Sequence, residues 1–515
     1  MTEMPDSLRL AEDLIAALGE VGVTDVVYCP GSRDAPIAYA LQDFKGGLHV
    51  RIDERVAAFT ALGVSLAGGF GAVVTTSGSA PSHLYPAILE ARHSGLPLVV
   101  VSADRPARLR GTGTNQTTEQ QGMFPLVKAA CDLSVPDQSA GVKLRETLWA
   151  ACSVPVGPVH VNLQFDVPLL PADTKPKRDI EYRASAFRSW WYTAADRSGN
   201  DALKPGLRTV VVAGDKAPDI AHAAASAGVP IFAEPSSGLR NHPNAIAGYA
   251  ELLDGGALAE SIEQVLVVGH PTLSRSVTRL LNGNARRIWV TDRYRPDADV
   301  IVPAAPTVLP EQDSGWLAQW READSAYSQA TDPREPYLCQ LWEHHGVTGN
   351  PLVIGASLTI RGFDRLPVTK AAVWALSNRG LAGIDGTIST ASGVALASGR
   401  RTTVVLGDLT ALHDSGAFTI PATETSPDLD IVIIDDAGGQ IFGTLEYGRD
   451  RGTSTYDRFF QTRVSVDFEH LAAAFNVAYI AITNADKLRE TLNNPVSGMR
   501  VIHIVIQETP SNNPD

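Results

Sequence analysis

The sequence predicts an α/β protein of three domains, each with a parallel sheet flanked by helices. Three observations predict it. Short β-branched apolar runs recur along the 515 residues, and most end at Gly, Ser or Asp. The runs are continuous and do not alternate with polar residues, which marks strands buried on both faces. Between them lie helical patterns, such as 11–21, 55–67 and 468–475, and strands alternating with helices give α/β layers.

A chain this long exceeds one hydrophobic core. Its composition shifts at about 168–207, a stretch rich in Pro, Lys, Arg, Trp and Ser. It shifts again at about 311–336, a polar stretch with isolated tryptophans that ends in TDPREP. Read as linkers, these divide the chain into units 1–175, 190–325 and 340–515. With 44% apolar and 19% charged residues, the composition is that of a soluble globular protein. No membrane span is expected, because no run reaches the roughly 18–20 apolar residues required. The start, MTEMPDSLRLAEDL, lacks the basic and apolar regions of an export signal, and the four scattered cysteines read as reduced thiols. A cytoplasmic location is the expectation. The net charge of −14 argues against nucleic acid, so anionic ligands would need local arginines.

Ligands of parallel sheets bind beyond the carboxyl ends of the strands, so the residues after each run matter most. The run at 26–29 leads into Pro30-Gly31-Ser32-Arg33, a tight turn that exposes a hydroxyl and a guanidinium where a helix begins. Taken alone it is a plain strand-helix turn. HVRIDER gives a strand, then Asp53 and Glu54. Asp53 suits a helix cap, and Glu54 suits either the first helical turn or a carboxylate that shares a proton with a bound heterocycle. TTSGSA, with Thr76, Ser77 and Gly78, follows the run at 72–76. Its small residues let a flat ligand approach the backbone, or let a helix pack close. SADRPARLRGTGTNQ follows the run at 98–102 and carries Arg105, Asn115 and Gln116, donors suited to carboxylates. Arg108 and Arg110 read as solvated.

In the last unit, VIGASLTIRG places Ser357 and Arg361 four apart, on one face if helical. SNRGLAGIDG follows, with Arg379 and Ile384. The run at 403–406 then ends at Asp408, and the run at 431–434 leads to Asp435, Asp436 and the Gly438-Gly439 pair. Asp436 lies 28 positions after Asp408, one helix and one strand away, so both carboxylates can reach the same sheet edge. Oxygen ligands of this kind, with a carbonyl from the glycine turn, suit Mg²⁺ held through a diphosphate. The paired glycines would let backbone N–H groups cradle phosphates.

Together these pieces resemble a thiamine diphosphate enzyme, whose metal-diphosphate motif is a Gly-Asp followed about 27 residues on by Asn or Asp. The finer match is to the 2-succinyl-5-enolpyruvyl-6-hydroxy-3-cyclohexene-1-carboxylate (SEPHCHC) synthase family of menaquinone biosynthesis. CPGSRDAPIA, HVRIDER, TTSGSAPSHLYPAILEA, SADRP, GTNQTTEQQGMF, SNRGLAGIDGTISTASG, GDLTALHD and GGQIF resemble its motifs in its order. The outer units match nearly end to end. The middle unit matches loosely, with GHPTLSR as its clearest piece.

The resemblance implies a pyrimidine-binding domain, a central domain and a diphosphate-binding domain. It implies an active site shared between subunits of a homodimer or homotetramer. The implied catalytic residue is Glu54, hydrogen-bonded to the pyrimidine; its role favours a buried side chain. Asp408, Asp436 and the Gly438 carbonyl would hold Mg²⁺ or Mn²⁺. Thr76, Ser77, Gly78, Ile384, Leu409, Thr410, Gly439, Gln440, Ile441 and Phe442 would contact thiamine diphosphate. Ser32, Arg33, Arg105, Asn115, Gln116, Ser357, Arg361, Arg379 and Arg275 would face the substrates. The family's Asn-rich stretch is here Asp435-Asp436-Ala437, so Asp435 remains an alternative metal ligand.

The implied reaction decarboxylates 2-oxoglutarate and adds the resulting succinyl-semialdehyde carbanion to isochorismate, giving SEPHCHC and CO₂. Both substrates are dicarboxylates, which accounts for arginines at strand ends of an acidic chain. The alternatives are another thiamine diphosphate decarboxylase or carboligase, which would want an apolar pocket, and a cofactor-binding protein that has lost catalysis.

Overall fold

The computed structural model describes residues 4–171, 199–292, 295–326 and 332–506. The first sheet contains β1 (Asp25–Tyr28), β2 (Gly47–Val50), β3 (Gly71–Thr75), β4 (Leu98–Asp104), β5 (Ala129–Leu133) and β6 (Pro158–Gln164). The second contains β7 (Thr209–Ala213), β8 (Ile231–Ala233), β9 (Gln264–Val268), β10 (Arg286–Val290) and β11 (Val300–Val302). The third contains β12 (Leu352–Ile354), β13 (Ala375–Leu376), β14 (Thr402–Gly407), β15 (Leu429–Asp435), β16 (Ala478–Ile482) and β17 (Met499–Val505). All paired strands in the three sheets run parallel.

The strand orders are β2-β1-β3-β4-β6-β5, β11-β10-β9-β7-β8 and β13-β12-β14-β15-β17-β16. The outer two sheets therefore share one connectivity. Their central strands are buried over most of their length, as the apolar runs require: β4 exposes none of its seven residues, and β14 and β15 stay buried up to their last.

The outer units are joined through two helices, Glu54–Leu66 and Thr387–Ser398, which share one core with Val27, Val100, Leu406 and Ile431. Close approach there depends on glycine. A Cβ on Gly63 would stand 2.0 Å from the Thr390 carbonyl oxygen, and one on Gly393 would stand 2.0 Å from that of Thr60.

The middle sheet has cores of its own on both faces. One of them corrects the second linker. Within the polar stretch, Trp316–Ala326 is a helix, with Trp316 and Trp320 buried against that sheet and Trp316 Nε1 donating to the Thr209 carbonyl at 2.8 Å. The tryptophans spaced four apart were its apolar stripe. Most of the first linker lies outside the described residues. Among the described residues no helix is long and apolar enough to cross a membrane.

Candidate active site

Because all strands of a sheet run one way, the residues after them gather on one edge. On the third sheet the neighbouring strands β13, β12, β14 and β15 deliver Arg379, Ser357, Asp408 and Asp436 to that edge. A cavity of about 130 Å³ lies there, lined by Asp408, Leu409 and Thr410 after β14 and by Asp436, Gly438, Gly439, Gln440, Ile441 and Phe442 after β15. Ser357 and Ile384 also line it. Every cofactor and metal residue expected from the third unit therefore meets in one cavity.

Its cradle is built by the backbone. Asp408 Oδ1 accepts from Leu409 N and Oδ2 from Gly438 N, both at 2.8 Å. Gly438 has φ +109°, and a Cβ there would meet the Gln461 carbonyl oxygen at 2.3 Å, so only glycine fits the turn. Asp436 points into the cavity, whereas Asp435 turns away: its Oδ1 accepts from Ala437 N at 3.1 Å and its Oδ2 lies 3.1 Å from His503 Nε2.

The electrostatics separate the two aspartates. Burial, with the Asp408 charge second, pushes the Asp436 carboxyl up to about 7. Burial raises Asp408 as well, and the Asp435 charge adds to it. The His503 hydrogen bond lowers Asp435. Buried carboxylates crowded by one another's charge suit a cation, and their oxygens with the Gly438 turn fit a hard divalent ion carrying a diphosphate. The residues present fit that group. Arg334, held by Asp332 at 2.7 and 2.8 Å, lines the same cavity with Nη1 3.6 Å from Asp436 Oδ2. It was missed because TDPREP carries no strand or glycine signal.

A second cavity of about 440 Å³ shares Leu358, Ile441 and Phe442 with the first. Arg361 and Arg275 line it, together with Leu273, Ser274, Asp254 and Asp364 from the middle and third units. Arg361 sits in the helix Leu358–Arg365 and donates to the Ser357 carbonyl at 3.0 Å, as the spacing of four expects. Arg275 is largely exposed and lies 3.7 Å from Glu446. Arg379 is buried beside this cavity, with Nη2 donating to Thr272 Oγ1 at 2.7 Å.

On the first sheet, β2, β1, β3 and β4 deliver Glu54, Ser32 and Arg33, Thr76 to Gly78, and Arg105 to one edge. Gly31 abuts the Thr76 side chain, and Ser77 Oγ donates to the Gln116 carbonyl at 3.0 Å. Gln116 holds the left-handed region at φ 55°, and Ser32, Asn115 and Gln116 are exposed. Arg33 is buried and donates to the Phe165 carbonyl at 3.0 Å; Arg105 is half-buried. Arg110 is not solvated as expected: it is half-buried between Asp104 and Asp132. Arg108 is exposed but paired with Asp166 at 2.6 Å.

Glu54 corrects a further expectation. It is half-buried, not buried, at the start of the helix Glu54–Leu66, with Asp53 as cap accepting from Arg55 N at 2.8 Å and Val56 N at 3.2 Å. It opens on a cavity of about 460 Å³ with His83, Gly416 and Thr419. Within one chain that cavity is separate from the Asp408–Asp436 cavity.

Paired outer sheets of one connectivity, one presenting a glutamate and the other a diaspartate-glycine cradle, define a thiamine diphosphate enzyme. Residues 8–123 match the thiamine pyrophosphate enzyme N-terminal TPP binding domain, and residues 354–505 match the C-terminal TPP binding domain. A SEPHCHC synthase of Nocardioides sp. is 42% identical over 96% of this chain and 94% of its own. One of Arthrobacter sp. is 39% identical over 97% and 89%, and one of Rhodococcus erythropolis 35% over 97% and 97%. The chain belongs to the SEPHCHC synthase family.

Proposed function

We propose that the chain decarboxylates 2-oxoglutarate and adds the resulting succinyl unit to isochorismate, forming SEPHCHC and CO₂ in menaquinone biosynthesis. The observation that carries this reading is the adjacency of the two cavities of the third unit. The one with Asp408 and Asp436 opens, across Leu358, Ile441 and Phe442, to one walled by Arg361 and Arg275. Guanidinium groups beside the reacting centre suit dicarboxylates, and a simple oxoacid decarboxylase would want an apolar wall instead.

When bound, thiamine diphosphate supplies the nucleophilic carbon and the electron sink. Asp408, Asp436 and the Gly438 carbonyl would hold Mg²⁺ or Mn²⁺, with Asp436 preferred to Asp435 because it faces the cavity. Leu409, Thr410 and Gly439 to Phe442 would hold the diphosphate end, Ile384 would support the cofactor, and Thr76 to Gly78 would border its pyrimidine. Glu54 would hold a proton at the pyrimidine ring nitrogen. Arg361, Arg275, Arg379 and Ser357, with Ser32, Arg33, Arg105, Asn115 and Gln116, would orient the two substrates.

A complete site on this reading needs a second copy. Glu54 and the Asp408–Asp436 pair face different cavities of one chain, which supports a homodimer or homotetramer in which the first unit of one copy faces the third of another. The division into 1–175, 190–325 and 340–515 and a cytoplasmic location belong to the same reading.

The test is consumption of 2-oxoglutarate by protein loaded with thiamine diphosphate and Mg²⁺, with and without isochorismate. Fast consumption only with isochorismate, and an adduct of the expected mass, is the result expected. Glu54→Gln should lose about 10²-fold or more of that rate while still binding cofactor. Equal decarboxylation without isochorismate would mean a different acceptor and overturn the assignment.

A further inference from the structure

The middle unit contributes a buried carboxylate that the reaction does not use. Glu234 follows β8 and is 2% exposed. Its Oε1 accepts from both Thr272 N and Leu273 N, each at 2.8 Å, while its Oε2 has no hydrogen-bond partner among the described residues. Thr272 and Leu273 belong to GHPTLSR. That segment does three things at once. The Thr272 hydroxyl accepts from Arg379 Nη2 at 2.7 Å. Leu273 inserts its side chain into the core of the third unit, beside Leu338 and Phe363. Leu273 to Ser276 line the 440 Å³ cavity together with Arg361.

From this we infer that Glu234 is a positioning residue for substrate recognition: its carboxyl clamps the 272–273 backbone, which sets the middle unit's wall of the substrate cavity and, through Thr272, aims Arg379. The substrate side of this inference rests on the function proposed above. A backbone segment without regular structure holds one position only if its N–H groups are paired, and Glu234 pairs two in succession. Burial pushes its carboxyl up to about 8, with the two backbone hydrogen bonds and Arg379 pulling it down and Asp364 pushing it up. Oε1 accepts in either protonation state, so a glutamine can keep the clamp.

The experiment compares Glu234→Ala, Glu234→Gln and Thr272→Val in the full-length protein with thiamine diphosphate and Mg²⁺. Amide exchange of the 270–276 segment reads the clamp directly, whatever the substrates are. Glu234→Ala should speed exchange there, raise KM for at least one dicarboxylate about tenfold, the size of one lost hydrogen bond to a charged group, and leave kcat within about threefold. Its affinity for thiamine diphosphate should not change, because Glu234 does not line the smaller cavity. Glu234→Gln should restore both exchange and KM. Thr272→Val should raise KM with exchange unaltered. If Glu234→Ala does not fold, Thr272→Val and Glu234→Gln still decide the matter. An unchanged KM in Thr272→Val, or a glutamine variant as impaired as the alanine one, overturns the inference. A wild-type protein that consumes neither substrate sinks the proposed function instead, and the exchange data still judge the clamp.

Discussion

Gly438 donates its backbone N–H to Asp408 Oδ2 at 2.8 Å. The carboxylate that follows β14 and the turn that follows β15 are thus one preformed unit, and both line the cavity with Asp436. Removing the Asp408 charge should weaken metal and cofactor together. Asp408→Asn is expected to raise the apparent Kd for Mg²⁺ by about 10–100-fold and to weaken thiamine diphosphate binding measured at fixed metal. Titration of the apoprotein, followed by intrinsic fluorescence, checks this, and an unchanged metal affinity would remove Asp408 from the ligand set.

Asp435 and Asp436 make a sharper pair, because they are adjacent and face different ways. Asp436→Asn keeps an oxygen ligand but removes a charge that sits beside Asp408 and 3.6 Å from Arg334. It should shift the relative affinity for Mg²⁺ and Mn²⁺. Asp435→Asn should leave metal affinity within about twofold and instead lower stability by about 1 kcal/mol, through the lost charge on the His503 hydrogen bond. The reverse pattern would make Asp435 the ligand.

How much of this was legible in the sequence depends on what each residue's neighbours are. The central strands were, because burial on both faces writes an unbroken apolar run. The strands not singled out, β5, β8, β11, β13 and β16, all lie at sheet edges. Ala129–Leu133 is broken by Asp132, Ala375–Leu376 is only two residues long, and Ala478–Ile482, though apolar throughout, is half-exposed and has two alanines in its five residues. The remaining edge strand, β2, showed only because HVRIDER carries a motif. The diaspartate cradle was legible because its residues are close in sequence and flanked by glycine. Arg334 and Glu234 were not, because each matters through contacts with distant segments: Asp436 in one case, Thr272 and Leu273 in the other. Glu54 looked as if it should be buried, but in one chain its cavity is open on one side, and nothing in HVRIDER tells which surface will cover it.

Asp414 gives a pH prediction. It is fully buried and accepts from Ser389 N at 2.8 Å and Ser389 Oγ at 3.0 Å, tying the strand-end helix Asp408–His413 to the helix Thr387–Ser398. Burial pushes its carboxyl up to about 6, with the Ser389 hydrogen bonds pulling back. The folded protein therefore holds this proton more tightly than the unfolded chain. The contribution is intact below about pH 4 and is lost as pH rises through about 6, by roughly 3 kcal/mol. Asp414→Asn does not titrate. Its stability relative to the parent should improve by about that amount between pH 4 and pH 8, measured by denaturant unfolding of the two proteins side by side. A difference that stays constant with pH would show that Asp414 titrates alike in both states.

The joint between the outer units gives the last prediction. Gly63 and Gly393 are each set against a backbone carbonyl of the opposite helix, Thr390 and Thr60 respectively. Replacing glycine by alanine inside a helix ordinarily stabilises by up to about 1 kcal/mol. Here the new methyl would stand 2.0 Å from a carbonyl oxygen that cannot swing aside, since it belongs to a helix backbone. The steric term wins, and Gly63→Ala should destabilise by about 2 kcal/mol or more. Gly141→Ala is the control: it lies in the helix Ala140–Cys152, where a Cβ would meet only the Arg145 guanidinium at 3.6 Å, so that variant should be neutral or slightly stabilised. The consequence reaches the site, because the helix that Gly63 seats begins at Glu54 and the helix it meets begins three residues after Ile384. Thermal unfolding of the two variants should move in opposite directions. Equal shifts would mean that the helix pair is loosely packed and that the two sheet edges are held in place by something else.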